Sequence, residues 1–482
     1  MSEGLHTLGR WIRDTARRTP SRVAIDYLGR EVTYEELERR SDALAVALTK
    51  RGLRRGDRLA TLSGNSPEHV IAFFACAKAG FVLVPLNWRL AAPELAYQLT
   101  DAEPALFLVE DEHAALAHQT GFTFESLAPP EGGPSFADAD VADDDGLLLI
   151  YTSGTTGKPK GAVLTHANCF WTNLSLDLTT ALRADDVVLQ VLPQFHCGGW
   201  NVQPLLAWWK GAKVVLERSF DPARALALLA EKRVTTMMGV PAIYLFLAQA
   251  SAFAAADLTS LRLAVVGGAP MPEELLRAWQ ARGVEIVQGY GLTEAAPNVL
   301  CLPPEDAMRK MGYAGKPYAF VEVRLSGEGE LLVRGPNVFP GYWRNSEATA
   351  AAFADGWLRT GDIAEADAEG YYRIRGRLKD MYISGGENVY PAEVESVLHE
   401  HAAVVDAAVV GVPDERWGEV GVAFVAASEP IGAEELLAHC RERLAHYKVP
   451  KRVRFVDALP MSAMNKVLKD ELRALDEEEV PA

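Results

Sequence analysis

Cysteine is scarce in this chain of 482 residues, and its five cysteines lie far apart. They are Cys76, Cys169, Cys197, Cys301 and Cys440, and they form neither a CxxC pair nor the spacing of a Cys–His zinc site. We therefore expect no disulfide framework and no structural zinc. A chain of this length can bury several large cores without disulfides or structural metals. The cysteine content fits a reducing, cytoplasmic compartment.

Long apolar runs are also missing, apart from one uncharged stretch. Residues 234–256 carry no charge and are long enough to span a membrane. They include Thr235, Thr236 and Gln249, however, and Pro241 interrupts them. This pattern favours a short buried strand followed by a helix. The N-terminal segment lacks the apolar core of a secretory signal, so we expect no stable membrane insertion.

Basic residues are outnumbered by acidic ones, since 48 Lys and Arg stand against 65 Asp and Glu, a net charge of −17. An acidic surface repels phosphate and anionic lipid, so nucleic acid is not an expected partner. Hydrophobic residues make up 49% and charged residues 23%, which is typical of a globular enzyme and excludes disordered, collagen-like and coiled-coil classes. At roughly 100–200 residues per domain, the length predicts two to four domains or subdomains.

Strand-like apolar runs alternate with amphipathic segments over most of the chain, which indicates α/β architecture with largely parallel sheets covered by helices. Residues 23–34 predict a hairpin, and the next helix has Thr33 as its N-cap with Glu36 three residues later. Another helix is predicted from the Ser66-Pro67 pair to residue 79, where Gly80 ends it.

The pattern changes after about residue 315, where short antiparallel strands with glycine turns are predicted. A smaller βα pattern begins at Lys379. We therefore place a domain boundary there, with a large N-terminal domain over 1–378 and a smaller C-terminal domain over 379–482.

A loop rich in glycine, hydroxyl groups and lysine follows the apolar strand at 147–153. Its sequence over 152–161 is TSGTTGKPKG. Glycines let backbone N–H groups approach an anion, hydroxyls donate to phosphate oxygens, and lysine neutralises charge. The spacing differs from the GxxxxGK[ST] loop of P-loop enzymes, so this is a phosphate site of another kind.

Together with later segments, this loop resembles the adenylate-forming superfamily, which includes acyl-CoA synthetases. The further segments occur in the expected order: GGAP (267–270), QGYGLTEA (288–295), RTGD (359–362), GRLKDMYISGGENVYPAEVE (376–395) and LPMSAMNKVLKDEL (459–472). The resemblance implies two doubly wound subdomains and a small β subdomain, followed by a mobile α+β C-terminal domain. It places the active site at the junction of the two domains.

By this resemblance, ATP and AMP are bound by hydroxyls, glycines and charged groups from several motifs. They are Thr152, Ser153, Gly154, Thr155, Thr156, Gly157, Lys158, Gly268, Ala269, Pro270, Gly289, Tyr290, Gly291, Thr293, Asp362, Arg377 and Lys466. Tyr290 would stack on adenine and Asp362 would accept both ribose hydroxyls. Thr152 and Glu294 would hold Mg²⁺, a hard cation that prefers oxygen ligands. The implied catalytic residues are Lys466, Glu294, His196 and Thr155.

Lys466 is the most consequential of these residues. Attack of a carboxylate on a phosphate brings two anions together, and a cation between them stabilises the transition state. The family has glycine before this lysine, whereas here the preceding residue is Asn465. Lys469 is a competing candidate.

The family's C-terminal domain moves between two half-reactions, and Lys379 matches its hinge position. Coenzyme A would enter beside Gly385 and Gly386, with Trp417 near the entrance. Simple packing is an equally good interpretation of Trp417.

The acyl pocket is predicted to be apolar and roomy. Its expected residues are His196, Cys197, Gly198, Gly199, Met238, Val240, Gly268, Gly289, Ala296 and Pro297. No cation occurs among them to pair the second carboxylate of a diacid such as malonate. Glycines at 198, 199 and 289 leave room for length, which favours an unbranched apolar chain. A Cys–His nucleophile at 196–197 is not expected, because adjacent side chains point apart.

The sequence therefore predicts an AMP-forming acid–thiol ligase that uses ATP, Mg²⁺ and coenzyme A. The preferred substrate is a medium- or long-chain fatty acid. The alternatives are an o-succinylbenzoate–CoA ligase, an aryl-acid–CoA ligase with a shorter, aromatic-walled pocket, a carrier-protein-loading enzyme and a non-catalytic paralogue. A homodimer is one assembly state that the sequence leaves open.

Overall fold

The computed structural model describes residues 5–137, 139–152, 158–269, 271–384, 387–414, 416–462 and 466–479. The chain divides into two compact units. The first unit comprises Met1–Val323 and Val333–Leu358, and the second comprises Arg324–Leu332 and Arg359–Ala482.

The helices are distributed along the whole chain. They are α1 (Gly9–Arg18), α2 (Tyr34–Lys50), α3 (Pro67–Ala79), α4 (Ala92–Ala102), α5 (Ala114–Gln119), α6 (His166–Thr180), α7 (Gly198–Asn201), α8 (Pro204–Lys210), α9 (Pro222–Glu231), α10 (Pro241–Gln249), α11 (Glu273–Gln280), α12 (Ser346–Ala352), α13 (Pro391–His399), α14 (Ala433–Arg443) and α15 (Lys469–Glu479).

The strands alternate with these helices as the sequence predicts. They are β1 (Val23–Tyr27), β2 (Arg30–Thr33), β3 (Arg58–Leu62), β4 (Val82–Leu86), β5 (Leu106–Val109), β6 (Glu125–Ser126), β7 (Gly146–Thr152), β8 (Lys160–Thr165), β9 (Val187–Gln190), β10 (Lys213–Leu216), β11 (Thr236–Gly239), β12 (Leu263–Val266), β13 (Ile286–Gly291), β14 (Asn298–Cys301), β15 (Lys316–Pro317), β16 (Glu322–Leu325), β17 (Glu330–Arg334), β18 (Gly341–Tyr342), β19 (Phe353–Ala354), β20 (Trp357–Ala366), β21 (Tyr372–Arg377), β22 (Tyr382–Ser384), β23 (Glu387–Val389), β24 (Val404–Asp414), β25 (Gly418–Ala427) and β26 (Arg452–Phe455).

The largest sheet of the first unit has the strand order β15-β14-β13-β12-β11-β9-β10-β1-β2 among the described strands. Its central strands, from β13 to β1 in this order, run parallel, and β2, β14 and β15 are antiparallel to their neighbours. The carboxyl ends of β9, β11, β12 and β13 therefore meet at one edge of the sheet. Loops at such an edge are the usual place for ligand sites in open α/β folds.

A second sheet of the first unit has the order β18-β8-β7-β4-β3-β5-β6. The strands from β7 to β6 are parallel, while β8 is antiparallel to β7 and β18 is antiparallel to β8. In the sequence, the predicted phosphate loop begins at the last residue of β7 and runs to the start of β8. The sheet thus carries that loop on a central strand with neighbours on both sides.

Helix α3 shows how local signals place an element in the core. The Ser66 hydroxyl accepts a hydrogen bond from the His69 N–H at 3.1 Å, and Gly80 ends the helix at a φ of +73°. Every residue of the helix except Glu68 is buried. Both predicted ends of this helix are confirmed, because a side-chain cap and a left-handed glycine act locally.

The uncharged stretch at 234–256 forms strand β11 and helix α10, as predicted. Among the described residues, no helix combines the length and the apolar character needed to cross a bilayer.

The second unit contains a sheet with the order β23-β22-β25-β24, and β26 pairs with β25. Alternate residues of β24 face two different cores, because Val409 packs with α13 and α14 whereas Val410 packs with Leu472 of α15. A further sheet joins β16, β17, β20, β19 and β21, and the division between the units passes through three of its strands. The predicted α/β class and the smaller α+β C-terminal part are confirmed.

Candidate active site

The end of β7 and the residues at the start of β8 place a hydroxyl and two lysines at one end of the second sheet. Thr152 is the last residue of β7 and pairs with Lys160, the first residue of β8. The Lys158 ammonium lies 5.8 Å from the centre of the Tyr97 ring, and the Lys160 ammonium lies 5.4 Å from that of Tyr342. The predicted phosphate-loop residues Ser153, Gly154, Thr155, Thr156 and Gly157, as well as Pro270, lie outside the described residues.

An oxygen-rich corner forms where the loop after β13 reaches Thr152. The Thr152 hydroxyl lies 3.4 Å from Oε1 of Glu294, and the Tyr342 hydroxyl donates to the same oxygen at 2.8 Å. Burial is the main cause that raises the pKa of Tyr342 above its usual value, and the Glu294 charge is the second. This hydroxyl therefore stays protonated. The corner therefore presents one half-buried carboxylate and two hydroxyls.

These oxygens fit Mg²⁺ in the manner usual for nucleotide enzymes. Magnesium is commonly held by one or two carboxylates together with substrate phosphates. In the described part of the chain, no cluster of three His, Cys, Asp or Glu side chains could form an all-protein metal cage. A single carboxylate, Glu294, beside Thr152 is thus the expected arrangement.

Glycines at the end of β13 have different roles. A Cβ at Gly291 would lie 1.5 Å from the Pro297 carbonyl oxygen, so this glycine is required by backbone packing. A Cβ at Gly289 would meet its nearest atoms at 3.8 Å, among them the Tyr318 hydroxyl. Tyr290 between them is half-buried. A Cβ would therefore fit at Gly289 but not at Gly291.

The loop after β12 lies next to the residues that follow β11. Gly268 has a φ of +84°, and both Gly268 and Ala269 are exposed. A Cβ at Gly268 would lie 3.4 Å from Cγ1 of Val240, and one at Gly267 would lie 3.0 Å from Cε of Met238. The structure thus brings together the predicted pocket residues at 238, 240 and 268.

The segment after β9 contributes His196 and Cys197. His196 is half-buried, and its ring centre lies 4.7 Å from that of Phe195. Cys197 is buried with its Sγ 3.4 Å from the Thr293 hydroxyl, and burial raises the pKa of its thiol to about 11. A thiol of this kind is not a nucleophile near neutral pH. The raised thiol pKa is thus a second reason, besides side-chain direction, not to expect a Cys–His nucleophile.

In the second unit, Asp362 and Arg377 lie opposite each other on the antiparallel strands β20 and β21. Nε of Arg377 is 2.8 Å from Oδ1 of Asp362, and the carboxylate is buried whereas the guanidinium is half exposed. Two residues of the predicted nucleotide site are therefore adjacent in the fold.

Lys379 is an exposed residue in the turn that follows β21. Trp417 is half-buried and packs against a core that includes Val410, Val422 and Phe424, which supports its packing interpretation. The predicted coenzyme A residues Gly385 and Gly386 are not among the described residues.

The structure distinguishes the two candidate lysines near the C-terminus. Lys466 has an exposed side chain, and its backbone is held by Ser462 through hydrogen bonds of 2.8 and 3.2 Å. Lys469 lies on α15, where its ammonium is 2.8 Å from Oε1 of Glu395. The ion pair commits Lys469 to a structural role, which supports Lys466 as the candidate.

Comparison with known proteins identifies the family of this chain. The model of the AMP-binding enzyme family matches residues 12–343, and that of the AMP-binding enzyme C-terminal domain matches residues 393–466. The chain belongs to the AMP-binding enzyme family. It is an AMP-forming acid–thiol ligase, an acyl- or aryl-CoA ligase that uses ATP, Mg²⁺ and coenzyme A.

Relatives within the family are named for different acids. Feruloyl-CoA synthase of an Amycolatopsis species is 44% identical over 97% of this chain and 98% of its own length. Long-chain-fatty-acid–CoA ligase FadD13 of Mycobacterium tuberculosis is 39% identical, covering 92% of each chain. The solved structure of o-succinylbenzoate coenzyme A synthetase (MenE) from Bacillus subtilis, with ATP and magnesium, is 34% identical with a TM-score of 0.87, covering 96% of this chain and 98% of that one.

Some residues that shape this ligase site were missed in the sequence. Tyr342 touches the candidate metal ligand, and Tyr318 closes the space beside Gly289. Both lie far along the chain from the residues they contact. A single tyrosine has no spacing signal, so only the fold reveals these roles.

The paired glycines at 198 and 199 provide a stability test of the pocket. A Cβ at Gly199 would lie 2.1 Å from the Pro193 carbonyl oxygen, whereas at Gly198 the nearest atom is Leu192 Cδ1 at 4.0 Å. We expect Gly199→Ala to lower the free energy of unfolding by about 1–3 kcal/mol or more, since backbone atoms cannot move aside easily. Gly198→Ala should change it by less than about 0.5 kcal/mol.

Urea unfolding followed by tryptophan fluorescence measures both variants. Equal effects would contradict the distinction between a packing glycine and a pocket glycine. Of these two glycines, only Gly198 has space for an added Cβ.

Proposed function

We propose that this ligase activates a flat, aryl-substituted carboxylic acid and transfers it to coenzyme A. The close walls around the pocket glycines carry the proposal. A Cβ at Gly268 or Gly289 would meet another residue at 3.4 or 3.8 Å, so neighbouring residues lie directly beside both of these predicted pocket glycines. The wall beside Gly289 includes the buried Tyr318.

The name of a relative supports the same acid class. Feruloyl-CoA synthase, at 44% identity over nearly the whole chain, is named for an aromatic acid. A shorter, aromatic-walled pocket is the feature expected of an aryl-acid ligase. The two observations are independent, since one comes from this chain's packing and the other from its relatives.

The reaction proceeds in two steps. A carboxylate oxygen of the acid attacks the α-phosphorus of ATP, which forms the acyl-adenylate and releases pyrophosphate. The thiolate of coenzyme A then attacks the acyl carbon, and AMP leaves as the thioester forms. Exclusion of water protects the mixed anhydride between the steps.

The residues of the site have the following proposed roles. Glu294 and Thr152 hold Mg²⁺, which neutralises phosphate charge when bound. Tyr290 stacks on adenine and Asp362 accepts the ribose hydroxyls. Lys466 supplies the cation for the first step, and His196 lies beside the substrate carboxylate.

The domain boundary at 378–379, with Lys379 as hinge, is also part of the proposal. The exposed turn position of Lys379 supports it. Entry of coenzyme A beside 385–386 and Trp417 follows from the family resemblance. The few, widely spaced cysteines support a cytoplasmic location, and a homodimer stays a prediction.

A medium- or long-chain fatty acid is the second candidate substrate. Two observations favour it: the open space at Gly198 and the 39% identity to a long-chain-fatty-acid–CoA ligase. An o-succinylbenzoate ligase is less well supported, because the predicted pocket positions include no cation for the distal carboxylate.

A substrate panel tests the proposal. Pyrophosphate release and thioester formation are measured with MgATP and coenzyme A for ferulate, benzoate, o-succinylbenzoate, malonate and fatty acids of increasing length. We expect the highest kcat/KM with an aryl acid. A higher kcat/KM for a fatty acid would contradict the proposed acid class but leave the ligase assignment intact.

A methyl group added at Gly289 sharpens this test. Gly289→Ala should leave folding intact, since its Cβ meets only ordinary contacts at 3.8 Å. It should lower kcat/KM for a rigid aryl acid by about 10–200-fold, and less for a flexible chain. Gly327→Ala is the matched control, because that Cβ has nothing within 4 Å.

A further inference from the structure

A short segment of the first unit is hydrogen-bonded to the loop that carries Glu294. We call residues 335–343 the clamp segment. Its Tyr342 hydroxyl donates to Glu294 Oε1 at 2.8 Å, and its Phe339 N–H donates to the Glu294 carbonyl at 2.9 Å. Its Asn337 amide donates to the carbonyls of Ala295 and Asn298, each at 2.9 Å. Four hydrogen bonds thus converge on residues 294–298.

The clamp segment is itself anchored from two sides. The Asn168 amide at the start of α6 donates to the carbonyls of residues 336 and 338, each at 2.9 Å. Strand β18 pairs with β8, where Tyr342 lies opposite Ala162, and the Trp343 N–H donates to the Gly161 carbonyl at 2.7 Å. The backbone that carries Tyr342 is therefore held by the sheet whose strand β7 ends at Thr152.

The bond from Tyr342 decides how the Glu294 carboxylate is oriented. An ionised carboxylate only accepts hydrogen bonds, so a donor on Oε1 fixes the plane of the group and leaves Oε2 for another partner. The Thr152 hydroxyl lies 3.4 Å from the same Oε1. The Tyr342 ring is held in turn, edge-on to Phe339 with centres 4.9 Å apart.

We propose that Tyr342 is a positioning residue that orients Glu294 for the metal of the nucleotide complex. This inference rests on the proposed function, in which Glu294 is the Mg²⁺ ligand. Hydrogen-bonding partners of metal ligands commonly change metal affinity by 10–100-fold when they are removed. Deleting this one hydroxyl should therefore weaken metal binding without disturbing the fold.

The test measures metal binding directly rather than turnover. Mn²⁺ is titrated into the full-length protein saturated with α,β-methylene-ATP, and free Mn²⁺ is followed by electron paramagnetic resonance. We expect Tyr342→Phe to lower the Mn²⁺ affinity of this complex by about 10–100-fold. The affinity for the nucleotide in EDTA should stay within about twofold.

Tyr151→Phe is the matched control. The Tyr151 hydroxyl also donates to a carboxylate, Asp101 Oδ2, at 2.7 Å, and it lies on β7 of the same sheet. It makes no hydrogen bond with Glu294. An equal loss of Mn²⁺ affinity in this variant would overturn the proposal, because the effect would then follow from any lost tyrosine–carboxylate bond.

Glu294→Gln separates the inference from the proposed function. If Glu294→Gln abolishes Mn²⁺ binding and Tyr342→Phe leaves it unchanged, the positioning role is overturned and the metal role of Glu294 stands. If Glu294→Gln retains full Mn²⁺ affinity, the metal assignment fails and the positioning role fails with it.

Discussion

Replacing Lys466 with alanine should slow adenylate formation by on the order of 10²–10³-fold. The first step brings a carboxylate to the phosphate of ATP, and without a cation the transition state loses its main electrostatic stabilisation. The second step joins a thiolate to an acyl-adenylate already formed. Thioester formation from supplied acyl-adenylate should therefore stay within a few fold of the unaltered rate.

The backbone contacts of Lys466 do not depend on its side chain. It is exposed, and its backbone hydrogen bonds to Ser462 remain in the alanine variant. Flanking residues Met461 and Val467 form an isolated β-bridge. A loss of activity would therefore report on the ammonium group.

Lys469→Ala is the matched control for this prediction. It removes an ammonium that is bound to Glu395, so it should cost some stability but little adenylation activity. Pyrophosphate exchange measures the first half-reaction, and AMP release from supplied acyl-adenylate measures the second. Equal losses of both half-reactions in Lys466→Ala would contradict the assignment of Lys466 to the first step.

Replacing Lys78 with methionine should cost about 3–5 kcal/mol of unfolding free energy. The Lys78 side chain is fully buried, and its ammonium contacts Glu38 Oε2 at 2.6 Å, Asp42 Oδ1 at 2.7 Å and the Ser41 hydroxyl at 2.8 Å. Its removal takes the shared buried cation away from Glu38 and Asp42 on α2, and Glu38 then keeps its 3.4 Å contact with Arg13. An uncompensated buried charge is far more costly than a lost surface pair.

This loss of stability should depend on pH with a definite sign. Burial already raises the pKa of Glu38, and Lys78 is the main partner that opposes the rise. Without Lys78 the folded-state pKa rises further above the unfolded value, so the folded variant binds protons more tightly. The difference in unfolding free energy between the unaltered protein and the variant should therefore become smaller as the pH falls and larger as the pH rises.

Lys210→Met is the control, because Lys210 forms a half-exposed pair with Asp177 at 2.9 Å. Such pairs contribute about 0–1 kcal/mol. Urea unfolding at pH 5 and pH 8 measures all three proteins. A loss in Lys78→Met no larger than in Lys210→Met would contradict the buried-charge explanation.

Much of the fold could be predicted because its signals are local. The ends of α3 follow from Ser66 and Gly80, and the strand and helix in 234–256 follow from their polar residues and Pro241. The motifs around residue 152, at 288–295 and at 359–362 indicated the family, and the matching family models confirm it.

The acyl pocket could not be predicted as well, because it depends on distances between segments remote in sequence. Gly198 and Gly199 are neighbours with the same residue type, yet only the second meets a carbonyl at 2.1 Å. Tyr318 follows Gly289 by many residues and faces it only across the sheet. Glycine content alone therefore does not reveal at which of these positions an added side chain would fit.

The sequence by itself determined the α/β class, the family and the order of the nucleotide motifs, since periodicity, caps and short motifs are properties of neighbouring residues. Tertiary structure alone decided that Lys78 is buried between two carboxylates and that Tyr342 reaches Glu294. These contacts join residues 36 to 48 positions apart, and no local pattern encodes such a meeting. Side-chain burial and hydrogen bonding of this kind depend on which distant segments of the chain the fold packs together.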